Sequence, residues 1–353
     1  MRIEELDLEI PPELIAQHPK EPRDACRLLH LDREDGRIGH RQFRQIPQLL
    51  REGDVLVLND SRVLPARLIG RKPTGGRVEL LFLSPFTGPG GEATSGSQWE
   101  ALARPSSRLR AGLELAVGSD LDEAVLLDQY LGDGRWVVGP AGLLTIREIL
   151  ERQGKTPLPP YINEDPGDPE LYQTVYAREP GSAAAPTAGL HFTPGLLSDL
   201  KARGVETASV TLHVGLDTFR PIQVEEVEAH PIHREWYSVP EEALRTLNLA
   251  RRENRRLVAV GTTSVRVLET LYRDASPGEP APADPRGWTR LYITPSYRFR
   301  AVGALLTNFH LPRTSLLALV MAFAGVDSTR RAYAEAVAGH YRFFSFGDAM
   351  LVT

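Results

Sequence analysis

Cysteine is almost missing from this chain. Cys26 stands alone among 353 residues, which excludes an internal disulfide and any zinc cluster built on cysteine. Long apolar runs are missing too. The longest, Leu316 to Gly325, falls well short of the roughly 20 residues that a membrane span needs. The opening Met1-Arg2-Ile3-Glu4-Glu5 is acidic and has no apolar run behind it, so no secretory signal is expected and a cytoplasmic location is. Lysine is scarce, occurring only at Lys20, Lys72, Lys155 and Lys201. Positive charge is therefore carried almost wholly by arginine, whose planar fork can grip phosphate, although genome composition gives the same bias. A net charge of −5 argues against a generally adhesive nucleic-acid binder while leaving room for a local basic patch.

Several standard motifs are absent as well. No Gly-x-Gly-x-x-Gly follows a strand-like run, which weighs against a dinucleotide site, and no Gly-x-Ser-x-Gly nucleophile elbow occurs. Gly154-Lys155-Thr156 imitates the end of a phosphate-binding loop, but Ile149 stands where that loop needs glycine. His230-Pro231-Ile232-His233 sets two histidines around a proline that spoils a helical metal pair, so no metal is expected.

What is present is ordinary for a folded chain: 42% hydrophobic and 25% charged residues, at a length that allows about two domains. Val55 to Leu58 and Leu257 to Val260 are short continuous apolar runs, the mark of buried strands, and strand-like and helix-like segments alternate from residue 205 onward. That alternation implies an α/β layer, mostly parallel. Between about 70 and 150 the character differs. Arg77 to Leu83, Trp99 to Ala103, Leu113 to Val117, Ala124 to Leu127 and Arg135 to Val138 are closely spaced strands with Gly75-Gly76 and Gly132-Asp133-Gly134 as hairpin signals. The reading is an α/β domain of residues 1–69 and 151–353 with a small antiparallel β-barrel of residues 70–150 inserted. Leu291 to Thr294 and Gly303 to Leu306 read as further strands, and Tyr297-Arg298-Phe299-Arg300 interleaves aromatic and basic residues as RNA binders do, or as an edge strand does.

Gly181 to Thr193 fits neither strand nor helix period. Its small residues read as a loop whose backbone comes close to something, ending on a helix start at Thr193-Pro194 where free N–H groups can receive an anion. Pro186 to Phe192, Leu212 to Arg220, Gly261 to Arg266 and Thr307 to Arg313 form a set, each joining small or hydroxyl residues to a histidine or arginine. Such loops gather at the carboxyl ends of strands in open α/β sheets. Gathered there, His191, His213 and His310 could move protons near neutrality, and Arg220, Arg266 and Arg313 could hold carboxylate or phosphate.

At these residues the chain resembles a known family. The runs Leu14 to Pro19, Gly53 to Asp60, Leu158 to Ile162, Tyr172 to Ala177, Gly181 to Thr193, His213-Val214-Gly215, Val260 to Arg266, Thr307 to Pro312 and Tyr341 to Leu351 are similar, in order, to the S-adenosylmethionine:tRNA ribosyltransferase-isomerases of queuosine biosynthesis. The resemblance implies an α/β fold with an inserted barrel. It implies an enzyme that moves and isomerises the ribosyl group of S-adenosylmethionine onto the 7-aminomethyl-7-deazaguanine (preQ1) wobble base of a tRNA anticodon stem-loop, releasing adenine and methionine. On that footing His191 is the first choice for the base that removes a C5′ proton, acidified by the adjacent sulfonium, with His213 and His310 assisting. Thr187, Ala188, Gly189, Thr262, Thr263 and Ser264 would hold the donor and Arg266 its carboxylate. Arg220, Arg313, Arg298 and Arg300 would meet tRNA phosphate. S-adenosylmethionine is then the one co-substrate, with no metal and no membrane, and the chain a monomer. Asp217, Cys26, Ser61 and Ser296 depart from the family pattern. A non-catalytic tRNA-binding relative and a tRNA methyltransferase are the competing readings; the intact His191, Thr262 to Ser264 and His310 weigh against the first, and the missing glycine motif against the second.

Overall fold

Val55–Asn59 is buried at every position, and so is Leu257–Val260. Strands covered on both faces need apolar side chains throughout, which is why these runs show no polar alternation. In a computed structural model, which describes residues 1–86, 97–106, 108–118, 123–164, 166–215, 221–232, 234–281 and 284–353, they lie at the centre of a nine-stranded sheet. Its order is Arg286–Thr289, Glu235–Ser238, Glu206–Leu212, Val55–Asn59, Leu257–Val260, Val302–Asn308, Ala349–Val352, Arg27–Leu31, Ile38–Gln42. The parallel pairing implied by strand–helix alternation holds from Glu206–Leu212 through Val302–Asn308. Both flanks are mainly antiparallel, so the sheet is mixed: Ala349–Val352 runs against Val302–Asn308 and with Arg27–Leu31. Two helices, Ser315–Ala324 and Val326–Ala338, separate Ala349–Val352 from Val302–Asn308, so this connection is not the single-helix crossover of a parallel βαβ unit.

The chain forms two compact units. One comprises Met1–Arg62, Pro159–Glu179 and Ala185–Thr353, and the other Val63–Leu158 with Pro180–Ala184. In the second, six strands close an antiparallel barrel in the order Arg135–Pro140, Trp99–Arg104, Arg77–Pro85, Arg67–Arg71, Leu113–Val117, Glu123–Gly132. Leu68, Val78, Leu80, Phe82, Leu115, Val125 and Val138 fill it. The helix Ile146–Gln153 adds Ile146, Ile149 and Leu150 to the same core, started by a capping box in which Thr145 Oγ1 accepts from the Glu148 N–H and the Glu148 carboxylate accepts from the Thr145 N–H.

In the first unit, one face of the sheet (Leu56, Leu58, Val258, Val260, Ala304, Leu306) is covered by Ala188, Phe192, Leu196 and Leu200. Leu196 and Leu200 belong to the helix Pro194–Ala202, which begins as its sequence demands: proline at the first position and Thr193 Oγ1 accepting from the Leu196 N–H at 3.2 Å. Three local expectations change. The segment Thr187–His191 is a short 3-10 helix rather than a loop, closed by the Gly189 N–H donating to Pro186 O at 2.8 Å. Gly261-Thr262-Thr263-Ser264 is no turn either; it is the first turn of the helix Gly261–Leu271, which leaves Leu257–Val260 with no connecting loop, Gly261 taking φ 84°. Leu291 to Thr294 is not a strand. Its backbone is claimed by side chains, since the Leu291 N–H donates to Thr289 Oγ1 at 3.1 Å and Leu291 O accepts from Arg266 Nε at 3.1 Å. Among the described residues no helix is long and apolar enough to cross a membrane.

Candidate active site

A cleft of about 530 Å³, open to solvent, lies where three of the sequence segments meet in the first unit. Ala185 to Ala188 form one wall, Gly261 to Thr263 another, and Thr307 to Leu311 a third; Tyr161, Val214, Leu316, Phe344 and Ser345 complete the lining.

Asn308 ties the walls together. It is buried at the end of Val302–Asn308, its Oδ1 accepts from Thr187 Oγ1 at 3.0 Å, and its Nδ2 donates to Phe344 O at 3.0 Å. Phe344 has φ 68°, a left-handed conformation that a bulky residue adopts only when its surroundings hold it there. The holding is visible: the Phe344 N–H donates to Phe309 O at 3.1 Å, and the buried Asp348 accepts the N–H groups of Arg27 and Arg342, each at 2.8 Å. The Tyr161 hydroxyl and Ser345 Oγ lie 2.6 Å apart, and burial pushes the Tyr161 phenol well above its ordinary pKa.

His310 is the histidine of the cleft. Its Nε2 is 2.8 Å from Thr307 Oγ1, and its backbone N–H donates to the Tyr333 hydroxyl at 2.7 Å. Burial lowers its pKa to about 4, so the ring is neutral at physiological pH. On another wall of the cleft Thr263 Oγ1 is buried without a hydrogen-bond partner among the described residues. Gly189 supports the opposite wall from behind. A Cβ there would run into the Tyr176 hydroxyl and come within 2.8 Å of Thr174 Cγ2, so only glycine lets the 3-10 turn sit this close.

Comparison with known proteins identifies the family. The profile described as queuosine biosynthesis protein matches residues 3–352. The chain belongs to this family of enzymes. It is 50% identical to the S-adenosylmethionine:tRNA ribosyltransferase-isomerase of Moorella thermoacetica and 51% identical to that of Symbiobacterium thermophilum, covering the whole of both chains in each case. It is similar also to a crystal structure of S-adenosylmethionine tRNA ribosyltransferase from Thermotoga maritima, with a TM-score of 0.55 and 40% identity over 99% of this chain and 100% of that one.

The residues singled out from sequence divide. Thr187, Ala188, Thr262, Thr263 and His310 come together on the cleft, and Gly189 stands behind it. His191 does not line it. The ring is 4% exposed, stacked on Phe43 with centroids 5.0 Å apart, and its Nδ1 and Nε2 each lie 3.0 Å from a carbonyl oxygen, those of Ala188 and Gly347. Desolvation lowers its pKa despite both carbonyls. His213 also lies off the cleft, stacked on Trp236, while its neighbour Val214 lines it. Ser264 is buried with its hydroxyl donating to Val260 O at 2.9 Å, back into the helix. Arg266 is buried against Glu235, whose other oxygen accepts the Gly215 N–H at 3.0 Å. Arg313 is exposed and paired with Asp7; Arg298 and Arg300 are exposed on a loop. Arg220 lies outside the described residues, as do Asp217 and His233.

Tyr161, Asn308, Phe344 and Ser345 were not singled out. Asn308 sat inside the Thr307 to Arg313 segment but carries no titratable group, and the Tyr341 to Phe346 run reads from sequence as core. Only its density of aromatics next to Ser345-Phe346-Gly347 hinted at a turn with a job.

Proposed function

We propose that this chain transfers and isomerises the ribosyl group of S-adenosylmethionine onto the aminomethyl group of the preQ1 wobble base of tRNA, yielding epoxyqueuosine-tRNA with adenine and methionine released. The observation that carries the reading is the cleft itself: its lining joins apolar side chains to the hydroxyls of Thr187, Thr262, Thr263, Thr307 and Ser345, the Asn308 amide and His310, and the first residues of the helix Gly261–Leu271, which has no side-chain cap, border the same space.

The donor fits such a lining. Thr187, Ala188, Thr262 and Thr263 would hold it, with the first turn of Gly261–Leu271 receiving its carboxylate in place of Arg266, which is already committed to Glu235. His310 takes over the role first given to His191. Burial keeps it unprotonated, the form that can accept a C5′ proton, and makes its conjugate acid a ready donor to the departing adenine nitrogen. Thr307 Oγ1 orients the ring. The Tyr161–Ser345 pair and Phe344 line the same space and would pack against the ring-opened sugar. Arg298 and Arg300, exposed, remain suited to tRNA phosphate, whereas Arg313 would have to leave Asp7.

The test is to mix the protein with S-adenosylmethionine and a preQ1-containing anticodon stem-loop and to analyse products by mass spectrometry. Adenine and methionine are expected, in equal amounts, and S-adenosylhomocysteine would overturn the reading in favour of methyl transfer. His310→Asn should lower adenine release by about 10²–10⁴-fold.

A further inference from the structure

Outside the cleft, one end of the large sheet carries a row of rings and arginines. Trp236 and Trp288 are directly paired residues of the antiparallel strands Glu235–Ser238 and Arg286–Thr289, so their side chains rise from the same face. It is the outer face, since Glu235, Tyr237 and Thr289 between them turn inward and are buried. Trp288 is 44% exposed. His213 stacks on Trp236 with ring centroids 5.3 Å apart and planes 16° from parallel, and the Arg234 guanidinium lies 4.5 Å from the centre of the Trp288 ring. Arg286 and Arg290 flank the same strand and are exposed. No carboxylate among the described residues pairs with Arg234, Arg286 or Arg290. Glu235 is turned inside to Arg266, and Asp284 accepts a backbone N–H, that of Arg286, at 3.0 Å.

An exposed indole backed by a guanidinium, with two more free cations beside it, matches a ligand that has flat unsaturated faces and a negatively charged backbone. Unpaired nucleotides have both. A second copy of this chain fits poorly, because apposing the edge strand with its twin would bring two such sets of arginines together. Position argues the same way. His213 begins the row and its neighbour Val214 lines the cleft, so the platform starts one residue from the place where a base must enter.

We infer that His213, Trp236, Trp288 and Arg234 form a stacking platform for the unpaired bases of the RNA substrate that adjoin the base held in the cleft. The inference rests on the tRNA reading above. Stacking on rings already held by neighbours orders little on binding, and it tolerates sequence variation because every base offers a face.

The experiment is fluorescence anisotropy of a labelled tRNA anticodon stem-loop against wild type, Trp288→Ala, Trp288→Phe and Arg234→Gln. Trp288→Ala should weaken binding by about 5- to 100-fold, the effect of removing one base–aromatic stack, and Trp288→Phe by less than about threefold. Arg234→Gln should reduce the slope of log affinity against log salt by about 0.7. Trp288 is exposed, so the Tm of Trp288→Ala should stay within about 2 °C of wild type, which separates lost contact from lost fold. Tight wild-type binding that Trp288→Ala leaves unchanged would overturn the platform alone, as would sedimentation of a wild-type dimer that Trp288→Ala splits. Failure of the wild type to bind the stem-loop would overturn the tRNA reading, and the platform with it.

Discussion

Replacing His191 separates two roles that sequence alone confuses. Its two ring nitrogens lie 3.0 Å from the carbonyl oxygens of Ala188 and Gly347; the neutral ring donates to one of them, and in the tautomer that donates from Nε2 it joins the 3-10 turn at Thr187–His191 to the turn that carries Phe344 and Ser345. His191→Ala removes a hydrogen bond worth about 1 kcal/mol, leaves at least one buried carbonyl unsatisfied at about 1–3 kcal/mol, and empties the space stacked on Phe43. The total is about 3–5 kcal/mol, a large share of an ordinary stability of about 5–15 kcal/mol, and should lower Tm by on the order of 10 °C. Asparagine can put an amide nitrogen near the Nδ1 position and glutamine near Nε2, each restoring one tie without any titratable group. If His191 is a tie, His191→Asn or His191→Gln should recover much of the Tm, and adenine release at a temperature where the protein is folded should return within about tenfold of wild type. If His191 is the base, both variants should be folded and slowed by about 10²–10⁴-fold. That second outcome, read from adenine release beside a denaturation curve, would refute the assignment of proton transfer to His310.

The remaining predictions follow from single contacts. Gly189→Ala should destabilise by about 1–3 kcal/mol, because its Cβ has no room beside Tyr176 and Thr174, and should raise the KM for S-adenosylmethionine by displacing Thr187 and Ala188; thermal denaturation and steady-state kinetics check both. Arg266→Met should destabilise by about 3–5 kcal/mol by leaving the buried Glu235 without its cation, while the KM for S-adenosylmethionine at a permissive temperature stays near wild type; a large rise in KM with unchanged stability would return Arg266 to the donor's carboxylate. Stability should also fall in acid through His310. Its folded value, about 4, lies below the ordinary 6.5, so between these values the unfolded chain binds more protons. This contribution is therefore complete above pH 6.5 and is lost as pH falls through about 4, amounting to at most about 3 kcal/mol, less whatever solvent in the open cleft returns. Denaturant midpoints at pH 7.5 and 4.5 should differ more for wild type than for His310→Asn.

The sheet centre was legible because burial on both faces forces continuous apolar runs, and Val55–Asn59 and Leu257–Val260 have them. The barrel was legible because hairpin glycines punctuate short strands, though the boundary drawn between residues 69 and 70 cut through its strand Arg67–Arg71. Direction was less so: whether Ala349–Val352 runs with or against its neighbours is decided by the turn before it, and that turn is held by Asp348 and by a left-handed Phe344, neither of which leaves a periodic trace. In the site, three of the four candidate segments form walls of the cleft and the fourth, Leu212 to Arg220, reaches it through Val214, as loops at strand ends do. The rank order of histidines was not legible. His191 and His310 each sit three or four residues beyond a small or hydroxyl residue, and only tertiary packing turns one ring onto Phe43 and the other into the cleft.

The two histidines are coupled through the same turn, and this bears on why both are present. Asn308 holds Phe344 O, Gly347 O faces His191, and Asp348 fixes the backbone between Arg342 and the strand Ala349–Val352, so the rim carrying Phe344 and Ser345 is anchored by Asn308 from the cleft wall and by His191 and Asp348 from outside it. Under the proposed function, a cleft that holds a ring-opened sugar needs walls that do not drift by even an ångström. Among the described residues of its lining the titratable side chains are Tyr161 and His310, and the Tyr161 phenol is pushed upward by burial, away from any role as a base near neutral pH. Hydroxyls, amides and backbone can orient a donor without competing for its protons. On the proposed reading, polar groups that do not titrate leave His310 as the single proton carrier, and the turn at Phe344, bonded to the backbone of the neighbouring Phe309, would help to hold that carrier in place.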